Sequence, residues 1–257
     1  MHAYGSAPLI AVLRSRFLQA LVVSAAVAGM IEGCAGPRIL ESAVPMAPPV
    51  EARPSCTAQW LVHGHTNQPE AQAFAKKCLE VQGVVARQFD DKTIARKMTA
   101  LIDADHPLTA LEPADIGEFC PGYLRQDREG RAIFWRTLLA ALVHAESVNN
   151  SAAAFWEEDQ GQYSIGLMQL SLADEPRYKC GFKSEAEITD PDRNLVCGIK
   201  VVTMLVGKDG VIGGGVGHEM KGAAAYWQNL RQPLPVRAQL IKATRAVAMC
   251  QGDGRSS

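Results

Sequence analysis

The stretch that decides the fold is "RAIFWRTLLAALVHAESVNN", residues 131–150. At helical spacing, Trp135, Leu138, Leu139, Leu142 and Val143 form one apolar stripe. The next position that stripe requires is Glu146. Residues three and four apart share a helix face, so this carboxyl is expected to be at least half buried. Burial disfavours the charged form and raises the pKa, which is what a general acid needs to hold a proton near neutral pH. A helix-terminal glutamate reaching solvent, or paired with an arginine, fits the position better when it is taken alone. The helix is expected to run from about Arg131 to Val148 and to stop at Asn149 and Asn150, residues that tolerate a left-handed conformation.

Around this helix the chain reads as mostly α. Helices are expected in "PEAQAFAKKCLEVQGVVARQF" (69–89), in "KTIARKMTALID" (92–103) behind Asp90 and Asp91, and as a short turn in "EPADIGEFC" (112–120). Downstream, Asp190 caps a helix through Leu205, and a last helix spans "PVRAQLIKATRAVAMC" (235–250). "QYSIGLMQLS" (162–171) reads as a turn into a small hairpin or as a helix start. Strand signals are few and there is no internal repeat.

The 257 residues are 47% hydrophobic and 21% charged, enough for one moderate domain or two small ones. The formal charge is -1, which gives no electrostatic footprint for nucleic acid. Arg14 and Arg16 precede "FLQALVVSAAVAGMI", an apolar run cut short by Glu32, which reads as an export signal over residues 1–33. "IEGC" then resembles a lipobox, with Cys34 as the acylated residue, although Glu32 stands where a small residue is usual. The proline-rich segment 34–54 has a tether composition, followed by a helical N-terminal segment, 55–128, a main domain, 129–250, and a tail, 251–257.

Of the seven cysteines, Cys34 is assigned to lipid, leaving six, an even set suited to an oxidising compartment. They allow about fifteen connectivities, and Cys180 with Cys197 is the one pairing expected. If unstrained, it would stabilise by roughly 3 kcal/mol.

Four blocks occur in order: "ESVNN" from Glu146, "GLMQLS" starting twenty residues later, "DPDRNLVCG", and "AAAYW". Their order and spacing over about residues 130–250 resemble the soluble lytic transglycosylase family, whose catalytic domain is goose-lysozyme-like. The resemblance implies a lysozyme-like α+β fold with few short strands. It makes Glu146 the single acid/base, with Ser147 beside it. Gly166, Leu167, Met168 and Gln169 would line the glycan cleft, Asn194 would be structural, and Tyr226 would orient Glu146.

The sequence departs from the family where the last block ends in Trp227 instead of Asn, and Trp227 is then either a stacking platform for a sugar or a packing residue. The implied reaction cleaves the β-1,4 bond between N-acetylmuramic acid and N-acetylglucosamine and leaves a 1,6-anhydromuramyl end. No cofactor or metal is required, and the partners implied are peptidoglycan strands and a membrane reached through the lipid anchor. Ala35 after the cysteine resembles outer-membrane sorting, with the domain in the periplasm. Two rival readings remain. One is a hydrolase drawing a second carboxylate from Glu157, Glu158 or Asp159. The other is a non-catalytic peptidoglycan-binding lipoprotein.

Other motifs carry less. His63 and His65 lack a nearby third ligand, and His218 with Glu219 begins a HExxH pattern that fails at Gly222. "GGGVG" (213–217) lacks the Lys-Ser/Thr of a phosphate loop and reads as a mobile connection at the cleft rim. His144 lies off the apolar stripe and is expected to face solvent.

Overall fold

A computed structural model describes residues 54–63 and 67–251. The expected export signal, Cys34 and its tether, His65 and most of the tail lie outside the described residues. In chain order the helices and strands are α1 (Cys56–His63), α2 (Gln68–Val81), α3 (Asp91–Leu101), α4 (Ile116–Phe119), α5 (Arg128–Ser147), β1 (Ala154–Glu157), β2 (Gln162–Ile165), α6 (Glu175–Tyr178), α7 (Glu185–Ile188), α8 (Pro191–Asp209) and α9 (Pro235–Arg245). The fold is mostly helical with one two-stranded antiparallel hairpin, the lysozyme-like α+β class expected.

α5 is the central element. The Asp127 carboxylate accepts a hydrogen bond from the Gly130 amide at 2.9 Å and caps its start, and Phe134, Trp135, Leu138, Leu139, Leu142 and Val143 are buried along one face. Its end differs from expectation. The first left-handed residue is not an asparagine but Val148, at φ 50°, followed by Asn149 at φ 61°. A β-branched residue in that region is strained. Tertiary hydrogen bonds hold the pair there: the Asn149 carbonyl accepts from the Phe89 amide at 3.1 Å, and its side-chain amide donates to Asp91 at 2.7 Å.

The helix expected over 69–89 also stops early. α2 ends at Val81, Gly83 turns the chain at φ 86°, and the β-branched Val84 and Val85 open an extended run instead. That run lies beside the segment after α5, with the Ser151 amide donating to the Arg87 carbonyl at 2.9 Å.

The segment before residue 128 shares one hydrophobic core with the segment after it, so the division expected at that point is not a break in packing. The Tyr163 hydroxyl of β2 donates to the Ala71 carbonyl of α2 at 2.8 Å, and Trp60 of α1 meets Trp156 of β1 edge to face. The buried carboxylate of Glu185 caps α1, accepting from the Cys56 amide, from the Thr57 amide at 3.1 Å and from the Thr57 hydroxyl at 2.6 Å.

Three disulfides add covalent ties: Cys56–Cys78, Cys120–Cys250 and the expected Cys180–Cys197. Cys120–Cys250 joins residues 130 positions apart, and a bridge closing so long a loop removes much freedom from the unfolded chain.

The glycine-rich connection, expected to be mobile, is pinned. The buried Asp115 carboxylate accepts from the Ile212 and Gly213 amides, each at 2.7 Å. Gly214 sits at φ 80°, where a Cβ would lie 1.6 Å from the Leu230 carbonyl oxygen. Gly213 and Gly214 serve close backbone packing.

Candidate active site

Glu146 lies one turn beyond Leu142 and Val143 on the core-facing side of α5 and is half buried. Removal from water pushes its carboxyl up to about 7. The negative charge of Glu157 acts in the same direction, and a hydrogen bond from Asn229 opposes both. The Asn229 side-chain amide donates to Glu146 Oε1 at 3.1 Å and also reaches the Ala145 carbonyl at 3.4 Å.

Asn229 is held by a chain of buried contacts. Asn194, fully buried on α8, accepts from the Met168 amide at 2.8 Å and donates to the Ile165 and Ile188 carbonyls at 3.2 and 3.0 Å. Its amide therefore fastens the Gly166–Gln169 turn to α8. The Met168 carbonyl in turn accepts from the Trp227 indole N–H at 2.9 Å, and Trp227 leads directly into the short 3-10 turn Gln228–Leu230 that carries Asn229. A residue just beyond the fourth block, fixed through the second and third blocks, thus presents an amide to the carboxyl of the first.

Several expected contacts are replaced by this arrangement. Leu167 and Met168 are fully buried, so neither lines a cleft open to substrate. Gly166 is required by the fold, because at φ 83° a Cβ would lie 2.4 Å from the Asn194 side chain. Gln169, at 8% exposure, spends its side-chain N–H groups on the Ala153 and Gly166 carbonyls. The Ser147 hydroxyl donates to the Val143 carbonyl inside its own helix.

Tyr226 does not reach Glu146. Its hydroxyl accepts from the Ser171 amide at 3.2 Å and bonds Asp174, and burial holds its pKa well above the usual tyrosine value. Trp227 is 2% exposed, which removes it as a stacking platform. Asn229 was missed by sequence reasoning. The available signal was the missing Asn at the end of the fourth block, with Asn229 two positions beyond the Trp227 that replaces it.

Glu157 ends β1, half buried, and its Oε1 accepts from the Ser164 hydroxyl at 3.0 Å across the hairpin. Glu158 and Asp159 are exposed on the hairpin turn. Among the described residues, no group of three His, Cys, Asp or Glu side chains is placed to hold a metal ion. A hollow of about 760 Å³ between α3, α5 and α9 is lined by Ile94, Ala140, Ala141, His144 and Leu240. Those α5 residues lie on the helix face away from Glu146, so cavity size alone does not mark the site. The arrangement at Glu146 can deliver a proton: one carboxyl, protonated near neutral pH, oriented by an amide and facing a second carboxylate's field.

No family profile and no curated protein matches the sequence. Solved structures of DslA (Bd0314) do match. The wild-type form is 30% identical with a TM-score of 0.55, over 63% of this chain and 90% of that one. Two glutamate-to-glutamine mutants of the same protein are 29% identical over the same shares, with TM-scores of 0.55 and 0.54. Their substituted glutamates stand eleven positions apart in that chain.

Proposed function

Because this chain belongs to the same lysozyme-like family as DslA, we propose that it cleaves the β-1,4 bond between N-acetylmuramic acid and N-acetylglucosamine in peptidoglycan, with Glu146 as general acid. The observation that carries the reading is the Glu146 carboxyl, raised to about 7 by burial and held by Asn229. Near neutral pH a substantial share of it is protonated, and it can donate that proton to the glycosidic oxygen as the leaving group departs. Acid catalysis of this kind contributes about 10²- to 10⁴-fold in rate.

Hydrolysis is the reading that best fits the second carboxylate. Glu146 and Glu157 stand eleven positions apart, the separation of the two substituted glutamates of DslA. Glu157 would then activate a water or stabilise the developing positive charge on the sugar, as the second carboxylate of a glycosidase does. The order of the four sequence blocks favours the alternative, a lytic transglycosylase. There Glu146 would next remove the proton from the muramyl C6 hydroxyl, closing a 1,6-anhydro ring without water.

The mass of muropeptides released from purified sacculi separates the two. Hydrolysis gives reducing ends one water heavier than the anhydro product, and an exclusively anhydro product would overturn the hydrolytic reading. Export, lipidation at Cys34 and residence at the outer membrane belong to the same proposal as the means of reaching this substrate. A Cys34→Ser chain that fractionates with membranes unchanged would remove the anchor from it.

A further inference from the structure

The hairpin has two chemically different faces. Its register pairs Trp156 with Tyr163 and Phe155 with Ser164. Trp156 and Tyr163 point into the core, 6% and 1% exposed, with their rings 5.0 Å apart. Side chains alternate along a strand, so Phe155 shares the other face with Glu157. The hydrogen bond between the Ser164 hydroxyl and the Glu157 carboxylate confirms which side chains share it.

Phe155 is 37% exposed, and among the described residues no other Phe, Tyr or Trp falls in the exposed class. After Ala154 the four-residue strand therefore runs open ring, core ring, acid, and the open ring shares its face with the acid whose field reaches Glu146.

We infer that Phe155 is a sugar-stacking residue, forming with Glu157 a hairpin subsite that takes one hexopyranose ring of the glycan strand. The inference rests on the reading of Glu146 as the acid of a glycan cleft. In β-1,4-linked glucosamine-type rings the substituents are equatorial, so each ring presents a face of C–H bonds. An aromatic face, electron-rich at its centre, packs against such C–H bonds, while the Glu157 carboxylate beside it meets the ring's hydroxyl edge. The subsite places a saccharide unit against the strand that supplies the second carboxylate and so fixes the strand's register relative to Glu146.

The test uses the full chain carrying Glu146→Gln, so that the probe is not consumed, and the N-acetylglucosamine tetramer as probe in calorimetric titration. Adding Phe155→Ala should weaken binding by about tenfold, the loss of one well-packed aromatic contact. Phe155→Tyr should keep the affinity, and Phe155→Leu, apolar but without a ring face, should not. Equal affinity with Ala or with Leu overturns the subsite while leaving the acid in place. A tetramer that binds neither the Glu146→Gln parent nor its Phe155 variants, together with an active wild-type enzyme on sacculi, also overturns the subsite. Inactivity of the wild type on sacculi as well overturns the cleft itself.

Discussion

Replacing Glu146 with Gln should stabilise the protein, and should do so only above mildly acidic pH. The folded-state carboxyl titrates near 7, whereas an unperturbed one titrates at 4.5. Between those values the folded state holds a proton that the unfolded chain releases. Raising the pH across the window therefore weakens the fold, and the stability present below about 4.5 is progressively lost through 7. A tenfold change in proton affinity is worth about 1.4 kcal/mol, so the loss approaches roughly 3 kcal/mol at pH 8.

A glutamine side chain at this position would keep the acceptor that Asn229 uses and would not ionise, so it avoids that loss. For a chain of this size the variant should melt about 6–12 °C above wild type at pH 8. The two should melt together at pH 4. Calorimetric scans at intervals between those limits measure the difference directly. A melting difference independent of pH, or absent at pH 8, would mean that Glu146 titrates as an ordinary surface carboxyl, and the argument for it as an acid would fail.

Three other changes probe the surroundings of the acid. Asn229→Ala removes the one hydrogen bond that favours the charged form, so the alkaline limb of the kcat/KM profile should move to higher pH while kcat falls through lost orientation; an unmoved limb would dismiss Asn229. Glu157→Gln should move that limb slightly lower, because burial outweighs Glu157 as a cause, and on the hydrolytic reading it should cost kcat about 10²-fold or more. Unchanged kcat would leave Glu157 a bystander. Asn194→Ala strands the Met168 amide and two carbonyls inside the core and should lower the urea-unfolding free energy by about 2–4 kcal/mol; a loss under about 1 kcal/mol would show that the turn does not depend on it.

Much of this was legible in the sequence, and the boundary falls along physical lines. The apolar stripe of α5 and the capping aspartates at 90 and 190 act over a few residues, and each placed its helix. The carboxyl of Glu146 was legible because helical spacing offered it to the core face and the order of the four blocks then singled it out. What escaped depends on long-range packing. The end of α2 is decided by pairing with residues beyond α5, and the left-handed Val148 is held by Phe89 and Asp91. The block "GLMQ" was expected to line the cleft from the family resemblance, and residue types do not reveal which side of a turn is buried. Its inward side is fixed by Asn194 and Trp227, 26 and 59 positions away.

The central claim, that Glu146 is the acid of a peptidoglycan-cleaving enzyme, is tested most directly by incubating purified sacculi with wild-type protein and with the Glu146→Gln variant and analysing the soluble fraction by mass spectrometry. The account predicts muropeptides released by the wild type and none above background from a folded variant. Release by both proteins, or by neither, would contradict it.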